Sequence, residues 1–126
     1  MNGMSTAMSI FNNSLSTIMG QRLQWLNKRG QIITSNIANA EIPSMARKEL
    51  RSFKQIVKRQ NQISHKNAVD YAPLTITSED VFKTKSEISR EVETLEMAHN
   101  NIEHDALINI VRNLHKMMRT IISRSQ

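Results

Sequence analysis

Four histidines and eleven carboxylates are the side chains of this 126-residue sequence with which acid–base or metal chemistry could be done. His99, Glu103, His104 and His115 fall in one stretch. His99 and Glu103 are four apart and share a helix face. Two such groups can begin a metal site, but a specific site needs a full ligand set in a fixed geometry. No third ligand stands at a convincing spacing, and His104 falls on another face. His99 lies near an apolar stripe and reads as an interface histidine. No glycine-rich phosphate loop or serine-centred elbow is present. Cys is 0, which excludes disulfides and thiolate chemistry. No spacing brings two carboxylates into one pocket. The sequence reads as non-enzymatic, with no cofactor, no metal and no catalytic residue.

The informative side chains are hydrogen-bonding ones of another kind. Ser35-Asn36-Ile37-Ala38-Asn39-Ala40 closes a long helical pattern, and Pro43 follows. Asn36 and Asn39 are three apart and share a face. Each amide both donates and accepts, so a buried one must find partners and thereby fixes a register. Ala38 and Ala40 are small and admit a close backbone. Pro43 disfavours helix at Ile42, so the helix is expected to end near Ala40.

Three elements must position this block. A helix is expected over residues 9–40, after a disordered tail at 1–8. Its stripe is Met8, Phe11, Leu15, Ile18, Met19, Leu26, Ile33 and Ile37, at steps of three and four. Arg22 and Gly30 interrupt it. Residues 41–86 form an irregular basic middle, within which Arg47 to Arg59 carries helical spacing. Asn61 to Ala72 reads as loop, and Leu74 to Thr77 as a short extended piece. A second long helix spans 87–126, with Thr84-x-x-Glu87 as its expected capping box. Its stripe is Ile88, Val92, Leu95, Ile102, Ala106, Ile110, Leu114, Met117 and Ile121. The fold class is mainly α. The two long helices each need a partner for an apolar face and are expected to pair as a coiled coil, with each other or across subunits.

Only 4% of residues are aromatic, and three Gly and two Pro are too few for a turn-rich β protein. The first sixteen residues lack a basic region followed by an apolar run, so no cleaved signal peptide is expected. No window reaches the length of a membrane span. Net charge is +6, and its placement is uneven. Arg47, Lys48, Arg51, Lys54, Lys58, Arg59 and Lys66 cluster against Glu49 alone. Glu79, Asp80, Glu87, Glu91, Glu93, Glu96, Glu103 and Asp105 follow. Opposite patches suit head-to-tail contact between subunits, and Arg51, Lys54 and Lys58 are the candidates for meeting acidic neighbours. Basic clustering also admits a nucleic-acid-binding helical protein. Phe53 is the only aromatic within the cluster, few for single-strand binding. A coiled-coil secretion adaptor would account for the helices but not for the Ser35–Ala40 block.

Residues Leu26 to Pro43, with Ser35-Asn-Ile-Ala-Asn-Ala40, closely resemble the N-terminal signature of the flagellar axial (rod and hook) proteins. Glu93-Thr-Leu-Glu-Met-Ala-His-Asn-Asn-Ile-Glu-His-Asp-Ala-Leu107, with Leu114 and Arg119-Thr-Ile, resembles the C-terminal helix of one branch. That branch is the flagellar basal-body rod protein family, in its short proximal-rod B type. Together the two regions cover roughly half the chain. The resemblance implies a structural subunit exported uncleaved through the flagellar type III apparatus. It would be located in the periplasm-spanning rod of the basal body. It would assemble with itself and with other rod subunits, the membrane-embedded basal ring and a small basal-body adaptor protein. No nucleic acid and no membrane insertion are expected. Ser35, Asn36, Ile37, Ala38, Asn39 and Ala40 would form the assembly interface, with Leu95, Ile102, Ala106, Ile110 and Met117 as the facing stripe. The sequence departs from the family after the block. Where the family has Asp-Thr-Pro-Gly-Tyr-Lys, this chain has Glu41-Ile42-Pro43-Ser44-Met45-Ala46. His104 stands where tyrosine is common.

Overall fold

A computed structural model describes residues 2–64 and 73–124. Helix α1 spans Asn2–Asn39. It therefore begins ahead of the expected start and takes in most of the stretch expected to be a tail. Gly30 does not break it. The side chains of Met8 and Phe11 lie outside the described ones. The helix stops where Pro43 predicts. The chain then turns through Ala40 N–H to Ile37 O (3.3 Å), Ile42 N–H to Asn39 O (3.1 Å) and Met45 N–H to Ile42 O (3.4 Å). Ser44 completes the turn at φ 63°, in left-handed space despite its Cβ.

The middle is more regular than its sequence suggests. Strand β1 is Ala46–Leu50 and strand β2 is Val81–Glu87. They pair antiparallel, with Lys48 opposite Lys83, Glu49 opposite Phe82 and Leu50 opposite Val81. A register irregularity lies between Ala46 and Lys48. Helix α2, Phe53–Ser64, begins later than the expected Arg47 start. Ser52 starts it: its Oγ accepts from Gln55 N–H at 3.3 Å. Residues 65–72, with Lys66 and most of the expected loop, lie outside the described residues. Leu74 to Thr77 is not a strand. It is stitched down by side chains: Leu74 N–H donates to Gln24 Oε1 (2.8 Å), Thr75 N–H to Gln60 Oε1 (2.8 Å) and Arg59 Nη2 to Thr75 O (3.0 Å). A 3-10 turn at Ser78–Asp80 then leads into β2.

Thr84 and Glu87 lie in β2, so they do not cap the second long helix. That helix, α3, spans Arg90–Arg124. Ser89 caps it, accepting from Val92 N–H at Oγ (3.5 Å) and from Glu93 N–H at its carbonyl (3.0 Å). Glu91 and Glu93 in its first turn and Arg124 in its last suit the helix dipole.

The chain is thus mainly helical with a small two-stranded sheet. Helices α1 and α3 run antiparallel: Arg22 meets Glu103 (2.5 Å), Arg29 meets Glu96, and Glu41 meets Arg90 (2.6 Å). The covered positions of α1 include Leu15, Met19, Arg22, Leu26, Arg29, Ile33 and Asn36, besides Trp25 and Ile32. Those of α3 include Glu93, Met97, Asn100, His104, Leu107, Val111, Leu114 and Met118. Both sets advance by alternate steps of four and three. A small core of Trp25, Leu26, Ile56 and Leu74, backed by Leu50, Phe53 and Leu107, fastens the middle segment to both helices. Gly30 has a role here. A Cβ on it would lie 3.2 Å from Asn100 Nδ2, which donates to Leu26 O at 3.0 Å.

Candidate assembly surface

Asn36 is 2% exposed, and its side chain holds three elements together. Its Oδ1 accepts from Lys48 N–H (3.1 Å), and its Nδ2 donates to Lys48 O (2.9 Å). The amide therefore pairs with β1 as a neighbouring strand's peptide group would. The same Nδ2 donates to Glu93 Oε2 on α3 at 3.1 Å. One asparagine thus fixes the register of α1, the hairpin and α3. The rest of the block is arranged differently. Asn39, Ile37 and Ala40 are half-buried, while Ser35 and Ala38 are exposed. Ala38 is therefore not at a close helix contact inside this chain.

Glu93 is fully buried. Arg47 Nε hydrogen-bonds its Oε1, and Arg47 Nη1 bonds Glu49. Burial works against the charge on Arg47, but its bonds to Glu93 and Glu49 outweigh that and hold its pKa above the ordinary value. A second buried carboxylate, Asp80, sits under α2. Arg59 holds both of its oxygens, Thr77 N–H donates to Oδ2 (2.8 Å), and Arg51 Nε lies 3.5 Å from Oδ1. The Arg59 guanidinium holds the Asp80 carboxyl below the usual range; burial opposes this and the Thr77 amide adds to it. Sequence reading places both only among the acids of a charged cluster, with no partner assigned. Both look like surface acids until the arginines twenty-one and forty-six residues away are placed beside them.

These pairs alter the meaning of the basic cluster. Arg47, Arg51 and Arg59 are turned to carboxylates of the same chain. Arg51 is therefore not a simple contact for acidic neighbours, whereas Lys54 and Lys58 are exposed on α2. A groove of about 670 Å³ opens between α1, the hairpin and the start of α3, with Trp25, Leu50, Phe82 and Val92 along it. Its charged lining includes Arg29, Arg47, Glu49 and Glu96, which are engaged in the pairs above.

The expected facing stripe does not face α1. Leu95 (63% exposed), Ile102 (68%), Ile110 (52%) and Met117 (61%) project from α3 into solvent, and Ala106 among them is exposed. Val92 and Ile121 extend the stripe at either end. The reason lies in the inner seam, where Glu93 and Asn100 are buried against α1 because Asn36, Arg47 and the Leu26 carbonyl satisfy them. Helix α3 therefore carries two faces, an inward one that mixes Glu93, Asn100 and His104 with Met97, Leu107, Val111 and Leu114, and an outward one that bears the apolar stripe. His99 and His115 are exposed and His104 is half-buried. Among the described residues, no group of three or more His, Asp or Glu side chains converges as a metal site. No described helix is long and apolar enough to cross a membrane.

No known protein family model matches the chain. No curated protein matches it either.

Proposed function

We propose that this chain is a structural subunit of the bacterial flagellar basal-body rod, of the short proximal type. The observation that carries the reading is the outer face of α3. Monomeric proteins rarely leave a long contiguous apolar stripe in water, and such stripes mark interaction sites. Leu95, Ile102, Ala106, Ile110 and Met117 form a mostly apolar stripe, broken by His99 and Asn113, along a face that the rest of the chain leaves bare. The Ser35–Ala40 block and the Glu93–Leu107 segment, which resemble the axial proteins, supply the family. The four-and-three spacing between α1 and α3 suits the coiled-coil packing such subunits use. Repeated contacts that do not close generate a helical tube.

In this reading Asn36 organises the subunit internally, and the α3 stripe meets neighbouring rod subunits. Exposed Ser35 and Ala38 are available to a second neighbour, as are Lys54 and Lys58 to acidic ones. The chain would leave the cell uncleaved through the flagellar export apparatus and contact the membrane-embedded ring and the small adaptor at the rod base. The internal pairing of Arg47, Arg51 and Arg59 weighs against nucleic acid, since phosphate contact needs cations available to it.

Basal bodies purified from native cells test the proposal. The protein is expected in the rod fraction, and Ile102→Glu is expected to keep helix content and thermal unfolding unchanged while reducing that incorporation. Absence of the wild-type protein from intact basal bodies would overturn the reading.

A further inference from the structure

The outer stripe of α3 is palindromic. Ala106 stands at its middle. Ile102 lies four residues before it and Ile110 four after; Leu95 lies eleven before and Met117 eleven after. At 100° per residue these five side chains fall within an arc of about 80°. The arc also holds exposed His99 and Asn113, seven residues before and seven after Ala106, so that His99 of each copy would lie by Asn113 of the other. All five positions are exposed.

The charge on the helix divides at the same point. Before Ala106, residues 90–105 carry Glu91, Glu93, Glu96, Glu103 and Asp105 against Arg90 alone. Glu93, Glu96 and Glu103 are held by Arg47, Arg29 and Arg22 of the same chain, which leaves Glu91 and Asp105 as the acids open to a partner. After it, residues 107–124 carry Arg112, Lys116, Arg119 and Arg124 and no acid. A parallel pair would set acid on acid and base on base. An antiparallel pair sets the acidic half of each helix over the basic half of the other.

We propose that the outer face of α3 binds the same face of a second copy of this chain, antiparallel, with the two-fold axis through Ala106. Leu95 then packs on Met117 of the other copy, and Ile102 on its Ile110. Ala106 meets Ala106, where a small side chain lets the helix axes approach to the short end of the usual 8–10 Å range. On the exposed flank, Asp105 lies toward Arg112 of the second copy, and Glu91 toward its Lys116. Such rim pairs add little affinity, but they select the orientation.

The contact is isologous, so it closes at two copies and leaves no free end. It covers the stripe that open-ended assembly would use, and a polymerising neighbour would have to displace it. The pairing rests on the α3 sequence and its exposure, and stands whether or not the chain belongs to a rod.

The intact purified chain tests it. Light scattering after gel filtration is expected to give twice the 14.5 kDa chain mass at high concentration, falling toward one chain on dilution. The chain has no cysteine, so introduced ones are unique. Ala106→Cys is expected to form a covalent dimer under mild oxidation, since a disulfide needs Cα atoms within roughly 7 Å. Leu95→Cys and Met117→Cys are each expected to stay uncrosslinked alone and to link when mixed. A monomer at every concentration with no Ala106→Cys product would overturn the pairing. So would self-linking of Leu95→Cys, which marks a parallel pair, or growth to larger species through this face. The cross-links are read on the isolated chain and basal-body incorporation on cells, so failure of one is distinguishable from failure of the other.

Discussion

Replacing Asn36 by Leu keeps its branched shape and helical character while removing its amide. The structure then loses three hydrogen bonds: two to the Lys48 backbone and one to Glu93. A neutral hydrogen bond contributes about 1 kcal/mol net, and one to a charged group about 1.5–3 kcal/mol. The loss is therefore roughly 4 kcal/mol, increased where Lys48 N–H or the carboxylate is left buried without a partner. Domains of this kind are stable by only about 5–15 kcal/mol. Urea unfolding followed by far-ultraviolet circular dichroism reads the effect directly. With a slope of about 2 kcal/mol per molar, the midpoint should fall by about 2 M. Asn39→Leu is the matched control. Asn39 is half-buried, and its backbone carbonyl, not its amide, receives Ile42 N–H, so its midpoint should move by less than about 0.5 M. Equal effects at the two positions, or an Asn36→Leu midpoint within about 0.2 M of wild type, would refute the assignment of register to Asn36.

Three further outcomes follow from the same geometry. Ser44→Gly relieves a left-handed residue at a cost in unfolded-chain entropy, and should stabilise by about 0.5–1 kcal/mol in the same urea assay. Glu93→Ala leaves the partly buried Arg47 guanidinium with Glu49 alone and removes a partner of the buried Asn36 amide, and should destabilise by about 3 kcal/mol, with Glu93→Gln clearly milder. The folded pKa of Asp80 is depressed, so its stabilising contribution is present above the ordinary carboxylate range and is lost as pH falls through the lowered folded value. Urea midpoints from about pH 5 to about pH 2 should therefore decline less steeply in Asp80→Asn than in wild type.

The two long helices were legible because apolar residues recur at three- and four-residue steps over more than thirty positions. Which face of α3 turns inward was not. Hydrophobic periodicity selects the most apolar arc, and on α3 that arc runs through Leu95, Ile102 and Ile110, away from α1. The buried arc holds Glu93, Asn100 and His104, which become interior residues only once Arg47, Asn36 and the Leu26 carbonyl are beside them. Leu114 belongs to the inner seam and Met117 to the outer stripe, yet simple spacing joins them. Strand β1, Ala46-Arg-Lys-Glu-Leu50, has no apolar alternation. Its extended form depends on β2 and on the Asn36 amide, a partner outside any local window. Thr84 and Glu87 carry a helix-start spacing, but β2 pairing claims them, and Ser89 takes the cap. Within the Asn-Ala block, Asn36 is buried and bonded to β1 and α3, whereas Asn39 is half-buried and Ala38 exposed, a difference their three-residue spacing does not reveal.

Trp25 is the single tryptophan of the chain. Its indole N–H donates to Arg51 O at 2.9 Å, Arg22 lies 4.4 Å over its ring, and Phe53 meets it edge-on. Arg22 shares α1 with Trp25, but the contacts to Arg51 and Phe53 arise only when the middle segment is seated on α1. Its fluorescence is therefore an optical gauge of that seating, with no label required. A blue-shifted emission would report a docked hairpin and α2, and a shift to the red would report their release while both long helices stay wound. The seating of the middle segment can therefore be followed in real time.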